Sequence, residues 1–166
     1  MNCQNCGGPI QETSGRGRMV CSFCGSIQSL QQSHDSVDQV TVLEQFGDFA
    51  CPCCGLQMSK AVIDDEIIES CSNCKGLFID REKFHDIAWS RRAAFEGADE
   101  AQIPISQEEL KESRDCPKCH NTMETHPYYG PGNAVVDSCS RCQYVWLDAG
   151  ELTTIERAPG VRTLRR

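Results

Sequence analysis

The chain has 166 residues and a formal net charge of −8, and only 39% of it is apolar even when its 13 cysteines are counted. Without those cysteines too little apolar side chain remains for one large core, and modules of about 40 residues need a metal or disulfides to stay folded. The N-terminus, Met1-Asn2-Cys3-Gln4-Asn5-Cys6, has no basic or apolar leader, and no run reaches the ~18 apolar residues of a membrane span. A cytoplasmic chain with reduced thiols is expected, and there paired cysteines favour metal over disulfides.

In chain order, residues 1–30 hold Cys3, Cys6, Cys21 and Cys24, with Ser14-Gly15-Arg16-Gly17-Arg18 as a hairpin tip between the pairs. Residues 31–49 form a connector in which Val37, Val40, Val42 and Leu43 fall partly at strand spacing. An edge strand, a docking segment and an extended linker all fit that pattern. Residues 50–96 hold Cys51, Cys54, Cys71 and Cys74, with Asp64-Asp65-Glu66 as a solvated hairpin tip. Asp80 then precedes a helix over 81–95, placing Phe84, Ile87, Ala88, Arg91 and Phe95 near one face. In the linker 97–114, Ser106 and Glu109 have capping-box spacing, which predicts a short helix over 107–114. Residues 115–158 hold Cys116, Cys119, Cys139 and Cys142 and end in a helix begun by an Asp148–Glu151 capping box. Residues 159–166 are a basic tail.

The six pairs read C-x2-C-x14-C-x2-C, C-x2-C-x16-C-x2-C and C-x2-C-x19-C-x2-C. Two residues between cysteines let both sulfurs of one turn reach the same ion at about 2.3 Å, and two such turns complete a tetrahedron. The expected fold is therefore three small metal-stabilised β-rich modules, zinc ribbons built from β-hairpin knuckles and joined by short α-helices. Pairing within consecutive units is favoured over cross-braced sharing, since each unit contains four ligands. Three Zn²⁺ per chain are expected, and because four thiolates and one zinc add −2 per site, the loaded charge falls to about −14. Iron is the alternative metal, but rubredoxin-like sites use a longer interval and an aromatic core. Gly7, Gly25 and Gly55 follow pairs at the place where the turn needs positive φ, Gly76 stands one place later, and His120 and Gln143 take that place in the last unit. The leftover Cys53 reads as a bystander in its turn. His34, His85 and His126 are scattered, and His120 reads as a turn residue beside Cys119.

The second and third units repeat one another. Cys51, Cys54 and Met58 correspond to Cys116, Cys119 and Met123; Cys71 and Cys74 correspond to Cys139 and Cys142; and Phe78-Ile79-Asp80 corresponds to Trp146-Leu147-Asp148. The longer third unit carries its insertion in the turn His126-Pro127-Tyr128-Tyr129-Gly130-Pro131-Gly132. The pattern Cys116-Pro117-Lys118-Cys119, Met123, Cys139, Cys142, Trp146-Leu147-Asp148, Glu151-Leu152 resembles the bacterial zinc-ribbon domain named for transcription factor IIB. The second unit is similar over residues 50–90, with Lys83-Phe84 in place of Glu-Leu, and the first resembles a generic ribbon only. The resemblance implies zinc binding and a link to transcription, although a fold does not fix a function.

Structural four-cysteine sites leave no open position for water or substrate, and the chain carries no catalytic triad, phosphate loop or H-E-x-x-H helix. A non-catalytic protein with no small-molecule substrate is expected, an adaptor or regulator docking on a protein assembly. Direct nucleic-acid binding is the alternative, opposed by the acidic field although Arg16, Arg18, Arg91, Arg92, Arg162, Arg165 and Arg166 form local basic spots. Thiol-based redox or zinc sensing is a second alternative. Trp146 and Phe78 are expected to pack over the knuckles, while Tyr128, Tyr129, Arg91 and Arg92 are the candidate partner contacts.

Overall fold

The computed structural model describes residues 10–12, 18–21, 23–24, 27–29 and 37–161. The chain divides into two units, Met1–Ser33 and His34–Arg166. In the first, β1 (Ile10–Glu12), β2 (Arg18–Cys21) and β3 (Ile27–Ser29) form an antiparallel sheet in the order β1-β2-β3.

The second unit is built on a seven-stranded sheet. Its strands are β4 (Thr41–Ala50), β5 (Gln57–Ile63), β6 (Glu66–Ser70), β7 (Leu77–Asp80), β8 (Glu124–Pro127), β9 (Val135–Cys139) and β10 (Tyr144–Leu147). The order across the sheet is β4-β5-β6-β7-β10-β9-β8. The two cysteine repeats are thus halves of a single sheet, joined where β7 meets β10. The join has a symmetric register. Phe78 lies opposite Trp146, its own counterpart in the repeat, while Leu77 faces Leu147 and Ile79 faces Val145. Counterparts exchange across the seam, as a local two-fold axis between the halves requires.

Alternation along the strands sorts the side chains to two faces. On one face Leu77, Ile79, Val145 and Leu147 join Ala61, Ile63, Ile68 and Val136 in a cluster with Phe84, Ile87, Ala88, Leu152 and Ile155 of the helices. On the other, Phe78 and Trp146 join Met58, Met123, Cys51, Cys71, Cys116 and Cys139. Period 2 in β7 and β10 therefore directs helices to one side and thiols to the other.

Helix α1 (Arg81–Ala94) begins as its sequence predicts, with the Asp80 carboxylate accepting from the Glu82 N–H at 3.0 Å and the Lys83 N–H at 3.5 Å. Its inward face carries Arg92 as well as Phe84, Ile87 and Ala88. The start of α2 (Glu151–Arg157) differs from the expected capping box. Half of the box forms, since the Asp148 N–H donates to the Glu151 carboxylate at 2.7 Å. The N-cap, however, is Gly150, and the cap arrives from the connector: buried Asp38 accepts from the Gly150 N–H at 2.7 Å, the Thr153 N–H at 2.9 Å and the Thr153 hydroxyl at 2.8 Å. Asp148 is drawn away because its carboxylate takes the Trp146 indole N–H at 3.0 Å and the Arg114 guanidinium at 3.0 Å. At the other end of α2, Arg92 donates to the Ile155 and Ala158 carbonyls at 2.6 and 3.0 Å.

The connector resolves as an edge strand, β4, whose pairing with β5 is broken by two register shifts around Phe46. The predicted helix over 107–114 shrinks to a single 3₁₀ turn, Glu109–Lys111, with Ser106 Oγ accepting from the Glu109 N–H at 3.2 Å. Its neighbours Glu112 and Arg114 serve β8 and β9 instead: the Glu112 carbonyl accepts from the Thr125 hydroxyl and Arg114 pairs with Asp137. The tip Asp64-Asp65 is a two-residue turn with both φ positive, closing the Ile63–Glu66 pair. It is tied down, since Arg91 grips Asp64 with two nitrogens and Lys83 pairs with Glu66 at 2.8 Å.

Gly76 has a different role from the knuckle glycine expected of it. A Cβ there would lie 2.1 Å from Cζ2 of Trp146, so the missing side chain is the space into which the indole of the other half fits. At the counterpart position Tyr144 stacks on the smaller Phe78, with centroids 4.6 Å apart. Large ring meets glycine on one side of the seam, and smaller ring meets tyrosine on the other. Gly76→Ala is therefore expected to lower stability by about 1–3 kcal/mol in urea unfolding of the zinc-loaded protein, with much of the loss recovered when Trp146→Phe is added. Asp38→Ala leaves three donors of α2 without their acceptor; a loss of about 2–4 kcal/mol is expected, with faster hydrogen exchange at the Gly150 and Thr153 amides.

Candidate metal centres

Each cluster is built by two knuckles of one local design. The residue after each second cysteine donates its N–H to the carbonyl of the first: Gly55 to Cys51 at 2.9 Å, Lys75 to Cys71 at 2.9 Å, His120 to Cys116 at 2.8 Å and Gln143 to Cys139 at 2.9 Å. All four lie in the left-handed region, with φ of 69°, 63°, 59° and 58°. Only Gly55 adopts it without a steric penalty; Lys75, His120 and Gln143 hold it because the knuckle bonds over-determine them. Backbone N–H groups also point at the sulfurs, those of Cys53 and Cys54 lying 3.4 Å from Cys51 Sγ and that of Cys142 lying 3.4 Å from Cys139 Sγ.

The structure brings Cys51, Cys54, Cys71 and Cys74 together, and separately Cys116, Cys119, Cys139 and Cys142, with the sulfurs of each set within 4.8 Å of one another. Cys51 and Cys74 Sγ are 3.6 Å apart, as are Cys119 and Cys139 Sγ. A tetrahedron with bonds of about 2.3 Å has edges of about 3.8 Å, so both sets fit one zinc ion bound by four thiolates. The chemistry agrees. Burial pushes the Cys51 thiol up to about 12 against the lowering by the Cys53 and Cys54 N–H groups, so a divalent cation is needed for the thiolate form at neutral pH. One cysteine of each pair, Cys51, Cys71, Cys116 or Cys139, is buried, and the other is partly exposed.

Residues 115–158 match the zinc-ribbon family of the TFIIB type, described as a transcription factor zinc-finger. No curated protein and no solved structure matches the chain. In this zinc ribbon β8, β9 and β10 carry the two knuckles, and residues 50–96 repeat the same strand order and the same knuckle bonds. Among the described residues, no helix is long and apolar enough to cross a membrane.

Cys3 and Cys6 lie outside the described residues; Cys21 falls in β2 and Cys24 is exposed. Arg16, Arg162, Arg165, Arg166 and His34 are also outside them. Cys53 is exposed, with its thiol 3.9 Å from the Asp148 carboxylate of the other half, and burial of its surroundings raises it to about 11. Trp146 and Phe78 are each 1% exposed and pack beneath the thiols. Of the candidate partner contacts, Tyr129 is 86% exposed, whereas Tyr128 packs edge-on against Phe84 at the rim of the helix-side cluster. Arg91 and Arg92 are used within the fold, on Asp64, the Asp38 carbonyl and the end of α2, which removes them from any exposed basic patch.

The polar network beside the zinc ribbon was not visible in the sequence. Arg114 reaches Asp137 at 2.6 Å and Asp148 at 3.0 Å as well as Glu112, and Asp137, 1% exposed, also accepts from Thr125. A lone arginine before Cys116 and an aspartate two places before Cys139 are signals without a period, and only the fold brings them together. Beside them, burial pushes the Glu151 carboxyl from 4.5 up to about 9, opposed by the Asp148 N–H and reinforced by the charges of Asp148, Glu109 and Asp137.

Two measurements follow from this geometry. Elemental analysis is expected to give two zinc ions from these clusters, a further one having to sit on Cys3, Cys6, Cys21 and Cys24; Cys139→Ser should remove one ion and collapse the near-ultraviolet circular dichroism of the buried Trp146. The folded chain retains a proton on Glu151 that the unfolded chain releases above about pH 4.5, so its contribution to stability falls as pH rises towards 9. Glu151→Gln should remove that slope, being more stable than the parent by at least ~1 kcal/mol at pH 8.5 and indistinguishable from it at pH 5.

Proposed function

We propose that the protein is a non-catalytic, zinc-stapled adaptor that docks on a larger protein assembly, with the family match of residues 115–158 pointing to a process connected with transcription. The observation that carries this reading is that both four-cysteine sets are complete and lie against a buried aromatic layer, so the metal serves the fold and presents no open position to a substrate. Two further features support it. Three arginines of the described unit are engaged internally: Arg91, Arg92 and Arg114 all hold carboxylates or carbonyls. The net charge of −8 opposes a phosphate backbone, whose affinity rests on free Lys and Arg. A cytoplasmic location is part of the same reading.

Affinity capture with the full zinc-loaded chain from its native host tests it. A discrete protein partner, lost when the metal is chelated, is the expected result. Retention on DNA or RNA at about 50 mM salt, falling steeply as salt rises, would replace the adaptor reading with direct nucleic-acid binding. Zinc release by mild peroxide at rates far above those of an ordinary structural ribbon would instead favour a redox sensor.

A further inference from the structure

The two four-cysteine sets belong to different halves of the sheet, yet they rest on one apolar layer. The buried cysteine of each pair, Cys51, Cys71, Cys116 and Cys139, falls in a single cluster with Met58, Phe78, Met123 and Trp146. Three of the four knuckles also touch the opposite half. The knuckle from Cys71 to Gly76, closed by the Cys71 N–H on the Gly76 carbonyl at 3.0 Å, receives the Trp146 indole at Gly76. The knuckle that carries Cys53 meets Asp148, whose Oδ1 lies 3.9 Å from the Cys53 thiol and also accepts the Trp146 N–H at 3.0 Å. In the knuckle of Cys139 and Cys142, the Gln143 carbonyl accepts from the Arg81 N–H at 2.9 Å, and the next residue, Tyr144, stacks on Phe78.

Neither half closes a core without the other, since Leu77, Ile79, Val145 and Leu147 of the two seam strands share one cluster with both helices. In so small a unit, the free energy of binding a structural metal is largely free energy of folding. An ion that gathers four thiols in one half therefore also orders the surface on which the other half packs. The second ion then meets thiols already closer to convergence, and less ordering remains to oppose its binding. Linkage makes the effect reciprocal, so either centre may fill first.

We propose that the two centres are coupled through the seam: zinc at either one raises the affinity of the other, the contact of Trp146 with Gly76 carrying much of the effect. The second unit then gains and loses its two ions together over a narrow range of free zinc, whatever partner the chain docks on.

The test uses the full chain with Cys21→Ser and Cys24→Ser, which disables the N-terminal cysteine set, titrated with zinc against a competing chelator. Cys71→Ser or Cys139→Ser, added singly, gives the binding constant of each remaining centre while the other is disabled. The overall constant for two ions in the chain with both centres intact is expected to exceed the product of those two constants by at least about tenfold, within the roughly 5–150-fold range of coupled sites. Trp146→Phe, placed in all three chains, should shrink that ratio by at least about threefold, because the smaller ring withdraws from Gly76. A ratio within about twofold of unity overturns the coupling, and a large ratio that Trp146→Phe leaves unchanged overturns the seam as its route. Should either single-centre variant fail to fold, native mass spectrometry of the chain with both centres intact decides. At one zinc per chain, the metal-free and two-zinc forms should together far outweigh the one-zinc form, whereas a one-zinc form making up about half of the chains or more overturns the proposal.

Discussion

Four residues of β7 lie antiparallel to four of β10, and the rest of the second unit takes its form from that seam. The register places Phe78 against Trp146 on the thiol side and Leu77, Ile79, Val145 and Leu147 on the helix side. A shift of one residue would turn one strand over against the other, sending its aromatic to the helices and its two aliphatics to the thiols, so both clusters and both helices depend on it. The indole fits only because Gly76 leaves room, which sets the register sterically as well as by hydrogen bonding.

The seam also explains how two small four-cysteine units acquire a core. Each alone would expose one face of a three-stranded sheet and bury little. Joined, they share a helix layer in which the first half holds the second: Arg92 of α1 holds the last carbonyls of α2, and Arg81 N–H of α1 donates to the Gln143 carbonyl of the facing knuckle at 2.9 Å. Asp38 and Arg114, from segments outside the repeats, bind the start of α2 and the approach to it. Backbone bonds fix the knuckles, and these contacts from α1 fix the halves to each other.

What could be read in the sequence was whatever repeats or has a fixed local spacing. The C-x-x-C pairs, the Asp80 cap, the hairpin tip at Asp64-Asp65 and the inward packing of Trp146 and Phe78 all belong there. The joining of the two four-cysteine units into one sheet was illegible, because β7 and β10 are four-residue strands with no alternation long enough to reveal a partner. Asp148 illustrates a local rule overridden: its spacing to Glu151 promised a cap, but the indole N–H and a guanidinium compete for the same carboxylate. Arg91 and Arg92 illustrate the complementary error, in which adjacent cations look like a surface patch until α1 turns both inward.

One edge strand of the seven-stranded sheet, β4, bears on the protein's behaviour at high concentration. A ten-residue edge with regular pairing offers a template on which further chains can add, the route by which sheet proteins aggregate. Here the ladder is interrupted twice, and Glu69, reaching out from β6, takes the Asp48 and Phe49 N–H groups at 2.7 and 3.1 Å beside a glycine that leaves it room. The strand is long enough to complete the sheet and too irregular to be copied, which blunts this edge of the seven-stranded sheet against further strand pairing.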